Sequence, residues 1–211
     1  MFTGLIQHVG RVESIEPTAA GLRLVVDATG WSHRPEAGAS IAVDGCCLTV
    51  ADGALAAAGR LAFDAIPQTV RETVLGDRRP GDPVNLEHSV TPETLLGGHL
   101  VQGHVDATGR VLAAGETRTD AGASDWRVRI ESPEAIAATL VPRGSITVNG
   151  VSLTVAELAD DATWFEVALI PVTLRDTNLD ALAPGHRVNL ESDVIARMVR
   201  AFMARARPAA R

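Results

Sequence analysis

Two adjacent cysteines, a pair of histidines and a serine held in a strand-like run are the residues of this 211-residue chain whose types and positions could do chemistry. Cys47 offers a thiol nucleophile, with Cys46 beside it as a small core residue, and a protease-like use of that thiol would need a histidine on the same face. Ser152 falls inside Val151-Ser152-Leu153, a strand interior, whereas a serine hydrolase holds its nucleophile on a sharp turn between strand and helix. His99 and His104, in GGHLVQGHV, are the two of the six histidines that lie close in the chain. Their spacing puts them on opposite faces of a strand or about 140° apart on a helix, so they do not chelate one metal. By its immediate neighbours, His99 beside Gly97-Gly98 reads as structural. All 19 basic residues are arginine and tyrosine is absent, which removes Schiff-base lysines, phosphate-loop lysines and tyrosine acids together. Adjacent cysteines build neither a disulfide framework nor a thiolate cage, and their use fits a reducing cytoplasm.

The elements that must position these groups come in duplicate. Ala39 to Val50 reads ASIAVDGCCLTV and Gly144 to Val155 reads GSITVNGVSLTV, with seven identities in twelve positions at an offset of 105. Val84-Asn85-Leu86-Glu87 recurs unchanged as Val188-Asn189-Leu190-Glu191, and Gly4 with Gly10-Arg11-Val12 matches Gly103 with Gly109-Arg110-Val111. The order of the matches is the same in both halves, so two homologous modules sit in tandem. Each has short strands separated by turn residues, the pattern of an all-β barrel or sandwich. Asp44-Gly45 and Asn149-Gly150 are type I′ hairpin signals that set the register: Val43 faces Cys46, Ile41 faces Leu48 and Ala39 faces Val50. One face of the hairpin is then apolar, and the other carries Ser40, Ala42, Cys47 and Thr49. In the second module Ile146, Val148, Val151, Leu153 and Val155 form the apolar face, and Ser145, Thr147, Ser152 and Thr154 the other. Small polar residues are common on solvated strand faces, yet such a face normally collects Arg and Glu, and both copies of this one stay small and uncharged.

The net charge of −7 argues against a nucleic-acid partner, no stretch reaches the length of a membrane span, and Met1 to Val12 lacks the features of a secretory signal. With aromatics at 3%, the apolar residues suit a small-residue β core. No glycine cluster forms a dinucleotide fingerprint. Short helices are expected at Pro67 to Leu75 and Pro133 to Val141. A longer one, capped by Ser192 or Asp193, carries an apolar stripe of Val194, Ile195, Met198, Val199, Phe202 and Met203 opposite Arg197, Arg200 and Arg205. It has no counterpart in the first module, so it packs either on a barrel or on another subunit.

Met1-Phe2-Thr3-Gly4, Gly45-Cys46-Cys47-Leu48-Thr49-Val50, the run from Gly97 to Asp106 and Gly150-Val151-Ser152-Leu153-Thr154-Val155 together resemble the riboflavin synthase family of the α-chain type. The resemblance implies two tandem six-stranded antiparallel Greek-key barrels, residues 1–95 and 96–191. Residues 192–211 would then be a C-terminal helix and tail holding a homotrimer. It implies dismutation of two molecules of 6,7-dimethyl-8-ribityllumazine into riboflavin and a ribitylamino-pyrimidinedione, in the cytoplasm and without metal or cofactor. A non-catalytic lumazine or flavin carrier of the same fold is the rival. The family's binding segments fall on Gly4-Leu5-Ile6, Cys47-Leu48-Thr49 and Asp64-Ala65-Ile66-Pro67-Gln68-Thr69 in the first barrel. In the second they fall on Gly103-His104-Val105, Ser152-Leu153-Thr154 and Ala168-Leu169-Ile170-Pro171-Val172-Thr173. Phe2, Ser40, His99 and Asp193 are implied around the site, with Cys47, His104, Ser152, Phe2 and His99 as the catalytic set. Two departures stand out: Arg143 replaces the usual Lys, and Gln68 and Val172 replace the usual Glu, which bears on the ribityl contacts.

Overall fold

In the computed structural model, which describes residues 1–118 and 124–206, each repeat becomes one six-stranded antiparallel sheet. The first is built from β1 (His8–Thr18), β2 (Gly21–Asp27), β3 (Ser40–Val43), β4 (Cys46–Thr49), β5 (Arg60–Ala65) and β6 (Pro83–His88), in the spatial order β4-β3-β6-β1-β2-β5. The second repeats that order with β7 (Ala107–Arg118), β8 (Ser124–Glu131), β9 (Ser145–Val148), β10 (Val151–Leu158), β11 (Trp164–Leu169) and β12 (Arg187–Ser192), and closes into a barrel. Both hairpin tips have the expected left-handed pairs, with φ of 45° and 76° at Asp44 and Gly45 and of 46° and 80° at Asn149 and Gly150. Ile41 pairs with Leu48 and Val43 with Cys46, so the apolar face goes inward as the turn dictates. Phe63 and Phe165 sit fully buried at matching places in the two cores, among Val, Leu and Ile.

The two sheets differ at one seam, which corrects the expectation of two equally closed barrels. In the second module β10 runs on to Leu158 and pairs with β11 through Val155, Glu157 and Leu158. In the first, β4 stops at Thr49 and meets β5 only at a single bridge, Val50 to Phe63. The cause is local. Asp52 accepts hydrogen bonds from the N–H groups of Ala54 (2.9 Å) and Leu55 (3.0 Å) and so starts helix α1 (Gly53–Ala57), which draws the chain off the sheet.

The expected helix at Pro67 divides. α2 (Pro67–Glu72) ends where Thr73 turns extended, and the Thr73 hydroxyl accepts from Leu75 N–H to start a 3₁₀ turn over Val74–Asp77. The helix expected from Pro133 shrinks to the single turn α3 (Glu134–Ala137), and α4 (Pro171–Asp176) repeats α2 unannounced. α5 (Val194–Ala206) starts as expected, with Asp193 accepting from Ile195 N–H at 2.8 Å while Ser192 stays in β12. Its apolar stripe is left open, with Ile195, Met198, Val199, Phe202 and Met203 at 53 to 74% exposure. Residues 207–211 of the expected tail lie outside the described residues. No described helix is long and apolar enough to cross a membrane.

The identical Val-Asn-Leu-Glu runs explain how the modules join. Valine and leucine enter the cores, whereas the asparagines face the other module: Asn85 Nδ2 donates to the Asn149 carbonyl (2.9 Å) and Asn189 Nδ2 to the Asp44 carbonyl (2.8 Å). Gly45 and Gly150 lie back to back, so close that a Cβ on either would fall within 2.7 Å of the other's backbone nitrogen. Asp44, fully buried in this joint, is paired with Arg78 at 2.6 Å and also accepts from Asn85 N–H and Asn178 Nδ2.

Candidate active site

Two short straps, residues 1–6 and 100–105, carry glycines that no other residue could replace. Phe2 and Val101, equivalent in the repeat, pair with each other across the joint, so the straps run antiparallel about a pseudo-two-fold axis. Gly4 (φ +75°) and Gly103 (φ +78°) then turn each strap onto a hairpin. A Cβ on Gly4 would lie 2.6 Å from Ser152 Cβ, and one on Gly103 would lie 2.6 Å from Cys47 Cβ. The Gly4 carbonyl accepts from Ser152 N–H and the Gly103 carbonyl from Cys47 N–H, both at 2.8 Å.

These contacts exchange the straps between modules. Ile6 packs on the second core and Val105 on the first. Gly4-Leu5-Ile6 therefore joins Ser152 and the 168–173 segment, and Gly103-His104-Val105 joins Cys47, the reverse of the grouping the family resemblance implies. A cavity of about 160 Å³ is lined by Gly4, Leu5, Ile6, Ser152, Val172 and Thr173, together with Val151, Asp176 and Thr177, which the sequence did not single out. Cys47 and Ser152 are half-buried, Thr49 and Thr154 exposed, and Ser40 pairs with Thr49 at the open end of the hairpin. The small polar faces are thus covered in part by a foreign strap, and this explains why they carry no Arg or Glu.

Each strap is held from behind by its own module's glutamate. Glu87 accepts from Thr3 N–H (2.6 Å), the Thr3 hydroxyl (2.8 Å) and Gly4 N–H (3.0 Å). Glu191 accepts from the N–H groups of Gln102 (2.7 Å), Gly103 (3.0 Å) and His104 (3.1 Å). Burial raises both carboxyls, and Glu191, with Asp106 nearby, is pushed up to about 7. These glutamates were missed at the level of sequence. Their signal was the exact repetition of two polar residues inside a buried strand.

His99 Nδ1 lies 2.7 Å from Ser152 Oγ, which makes it more than a structural neighbour of the glycines. Burial lowers its pKa, opposed by the charge of Asp193, so the neutral imidazole is present at Ser152 around neutral pH. His104 is exposed on its strap. Cys46 is buried with its thiol pushed up to about 12 by burial and by the neighbouring Cys47, Asp44 and Glu191, so it is inert. Phe2 is fully buried against Ala42, Val101 and Cys47, and as placed it supports Cys47 from behind and touches no open space. Leu48, Leu153, Ala65 and Leu169 are core residues, so their backbone faces the strap side while their side chains do not. Asp64 and Ala168 lie at the ends of β5 and β11, and Asp64 is exposed in an ion pair with Arg23. Ile66 and Ile170 precede Pro67 and Pro171 as exposed apolar residues, and Gln68 donates to Glu72 along α2. Arg143 holds a left-handed turn (φ +63°) where the twin position is Gly38. Among the described residues no cluster of three or more His, Cys, Asp or Glu could hold a metal ion.

The lumazine-binding-domain family profile matches residues 3–89 and 102–193, once for each sheet. A curated riboflavin synthase of Mycobacterium tuberculosis is 43% identical over 205 residues, 96% of this chain and 98% of its own length. That of Bacillus subtilis (strain 168) is 34% identical over 206 residues, covering 98% and 91% of the two chains. The crystal structure of LumP complexed with 6,7-dimethyl-8-(1′-D-ribityl)lumazine superposes with a TM-score of 0.75 at 27% identity, covering 91% of this chain and 99% of that one. Two lumazine-binding domains, one per repeat, with full-length likeness to these enzymes, mean that this chain belongs to the riboflavin synthase family.

Proposed function

We propose that the chain dismutates 6,7-dimethyl-8-ribityllumazine: one molecule gives a four-carbon unit to a second, yielding riboflavin and 5-amino-6-ribitylamino-pyrimidinedione. The observation that carries this is the pairing of two pseudo-equivalent sites, each with a small hydroxyl or thiol beside a glycine carbonyl on a strap. Two copies of one substrate in one reaction need two such sites. The 7-methyl protons of the lumazine are acidic, so a modest base and oriented backbone groups suffice. His104 and Cys47 serve one site, and Ser152 with neutral His99 the other. Cys47 adds to C7 of one lumazine or positions it. Arg143, Thr49, Thr154, Gln68 and Thr173 meet the ribityl and ring polar groups. Both sheets act as barrels of the same lumazine-binding kind, over 1–95 and 96–191, and the open stripe of α5 holds a cytoplasmic homotrimer that faces barrel one of one protomer against barrel two of its neighbour.

Incubating the purified protein with the lumazine alone tests the reading. Riboflavin should form at one per two lumazines consumed, unchanged by EDTA. A ratio near one to one, or a metal requirement, would sink it. A non-catalytic lumazine or flavin carrier of the same fold would instead hold a stoichiometric chromophore and release no riboflavin.

A further inference from the structure

The strap that carries His104 differs from its twin in what grips its ends. Arg197, in the first turn of α5, places Nη1 2.6 Å from Asp106 Oδ1 and donates from Nη2 to the side-chain oxygen of Gln102. Asp106 Oδ2 in turn accepts from Ser192 N–H at 2.8 Å. One guanidinium from the helix therefore spans the strap from Gln102 to Asp106, while Glu191 holds the three N–H groups between. In the twin, Gln7 stands at the place of Asp106 and accepts from His88 N–H, Thr3 stands at the place of Gln102, and no helix follows.

We propose that Arg197 is a positioning residue that couples α5 to the strap carrying Gly103 and His104, so that seating of the helix sets the geometry at Cys47. The proposal rests on the dismutation reading for its kinetic consequence alone. Gly103 transmits the coupling, because its Cα sits against Cys47 and its carbonyl accepts from Cys47 N–H. Glu191 accepts three N–H groups best as a carboxylate. Burial and the charge of Asp106 oppose ionisation of Glu191, while the N–H groups of Gln102 and Gly103 and the charge of Arg197 favour it. Without Arg197, two carboxylates are left side by side, Glu191 takes up a proton at higher pH, and the strap loses acceptors.

Full-length Arg197→Met, Arg197→Lys and Asp106→Asn, compared with the parent, provide the test. Sedimentation gives the assembly state, hydrogen exchange the opening of the Gln102 to His104 amides, and riboflavin formation kcat and KM from about pH 5.5 to 9. R197M should exchange at these amides about tenfold faster and lose about tenfold in kcat, with its acid limb moved to higher pH. R197K should recover most of both. D106N removes the like charge and leaves the helix intact, so its acid limb should move to lower pH. Limbs that shift in the same direction, or unchanged exchange in an assembled R197M, would overturn the proposal. So would a loss of activity that disappears once R197M is concentrated enough to assemble. If the parent makes no riboflavin while the exchange differences persist, the reaction reading fails and the coupling stands.

Discussion

Cys47 and Ser152 occupy the same repeat position, each donating its N–H to a strap carbonyl, yet their surroundings are unlike. Ser152 has His99 at 2.7 Å, whereas the neighbour of Cys47 is the phenyl ring of Phe2. A thiol needs less help than a hydroxyl to act as a nucleophile, so Cys47 can do without the hydrogen-bonded imidazole that Ser152 has. Cys47→Ser removes the better nucleophile and leaves a hydroxyl without the hydrogen-bonded imidazole that Ser152 has. It should lower kcat by on the order of 10² while KM changes little, read from steady-state riboflavin formation. A serine variant that turns over like the parent would leave Cys47 a spacer under Gly103.

At the scale of elements, one capping residue separates the two modules. Asp52 starts α1 and ends the β4 ladder after Val50, and where the twin chain continues, β10 closes its barrel. Asp52→Ala should cost about 1 kcal/mol, seen as a lower urea midpoint at unchanged slope, because two helix N–H groups lose their acceptor. Riboflavin formation in the absence of urea should stay at the parent's rate, since Asp52 touches neither strap. The hairpins themselves were legible from Asp-Gly and Asn-Gly, since a turn that needs positive φ at both positions sets register by local sterics alone. The cap was not, because Asp after a strand reads equally as an ordinary turn residue.

For the molecule as a whole, the helix stripe and the strap exchange bear on the same question of assembly. Ile195, Met198, Val199 and Phe202 are exposed, and burying all four between subunits would contribute on the order of 6 to 12 kcal/mol before entropy, at roughly 1.5 to 3 kcal/mol each. Truncation after Ser192 should give folded monomers that bind lumazine but turn it over slowly, measured by sedimentation and activity on one sample. Monomers with full activity would refute a site shared between protomers, and a truncated trimer would refute the role of the helix.

Local pattern alone determined the duplication, the strand faces, the hairpin registers and the amphipathic terminal helix, because period-2 and period-3.6 burial and turn sterics act within a few residues. Which neighbour covers each face was decided by tertiary structure. Gly4 meets Ser152 and Gly103 meets Cys47 across the module boundary, whereas the family resemblance implied each strap in its own half. Likewise His8, His33 and His88, far apart in the chain, gather around Trp31, the last two with ring centroids 4.4 Å apart. The same holds for Asn85, Asn189, Glu87 and Glu191, whose partners lie in other segments of the fold. A sequence states that a buried strand carries a polar side chain, and the cost of leaving it unpaired strongly favours a partner. Only the closed chain, with two modules docked back to back at Gly45 and Gly150, decides which partner that is.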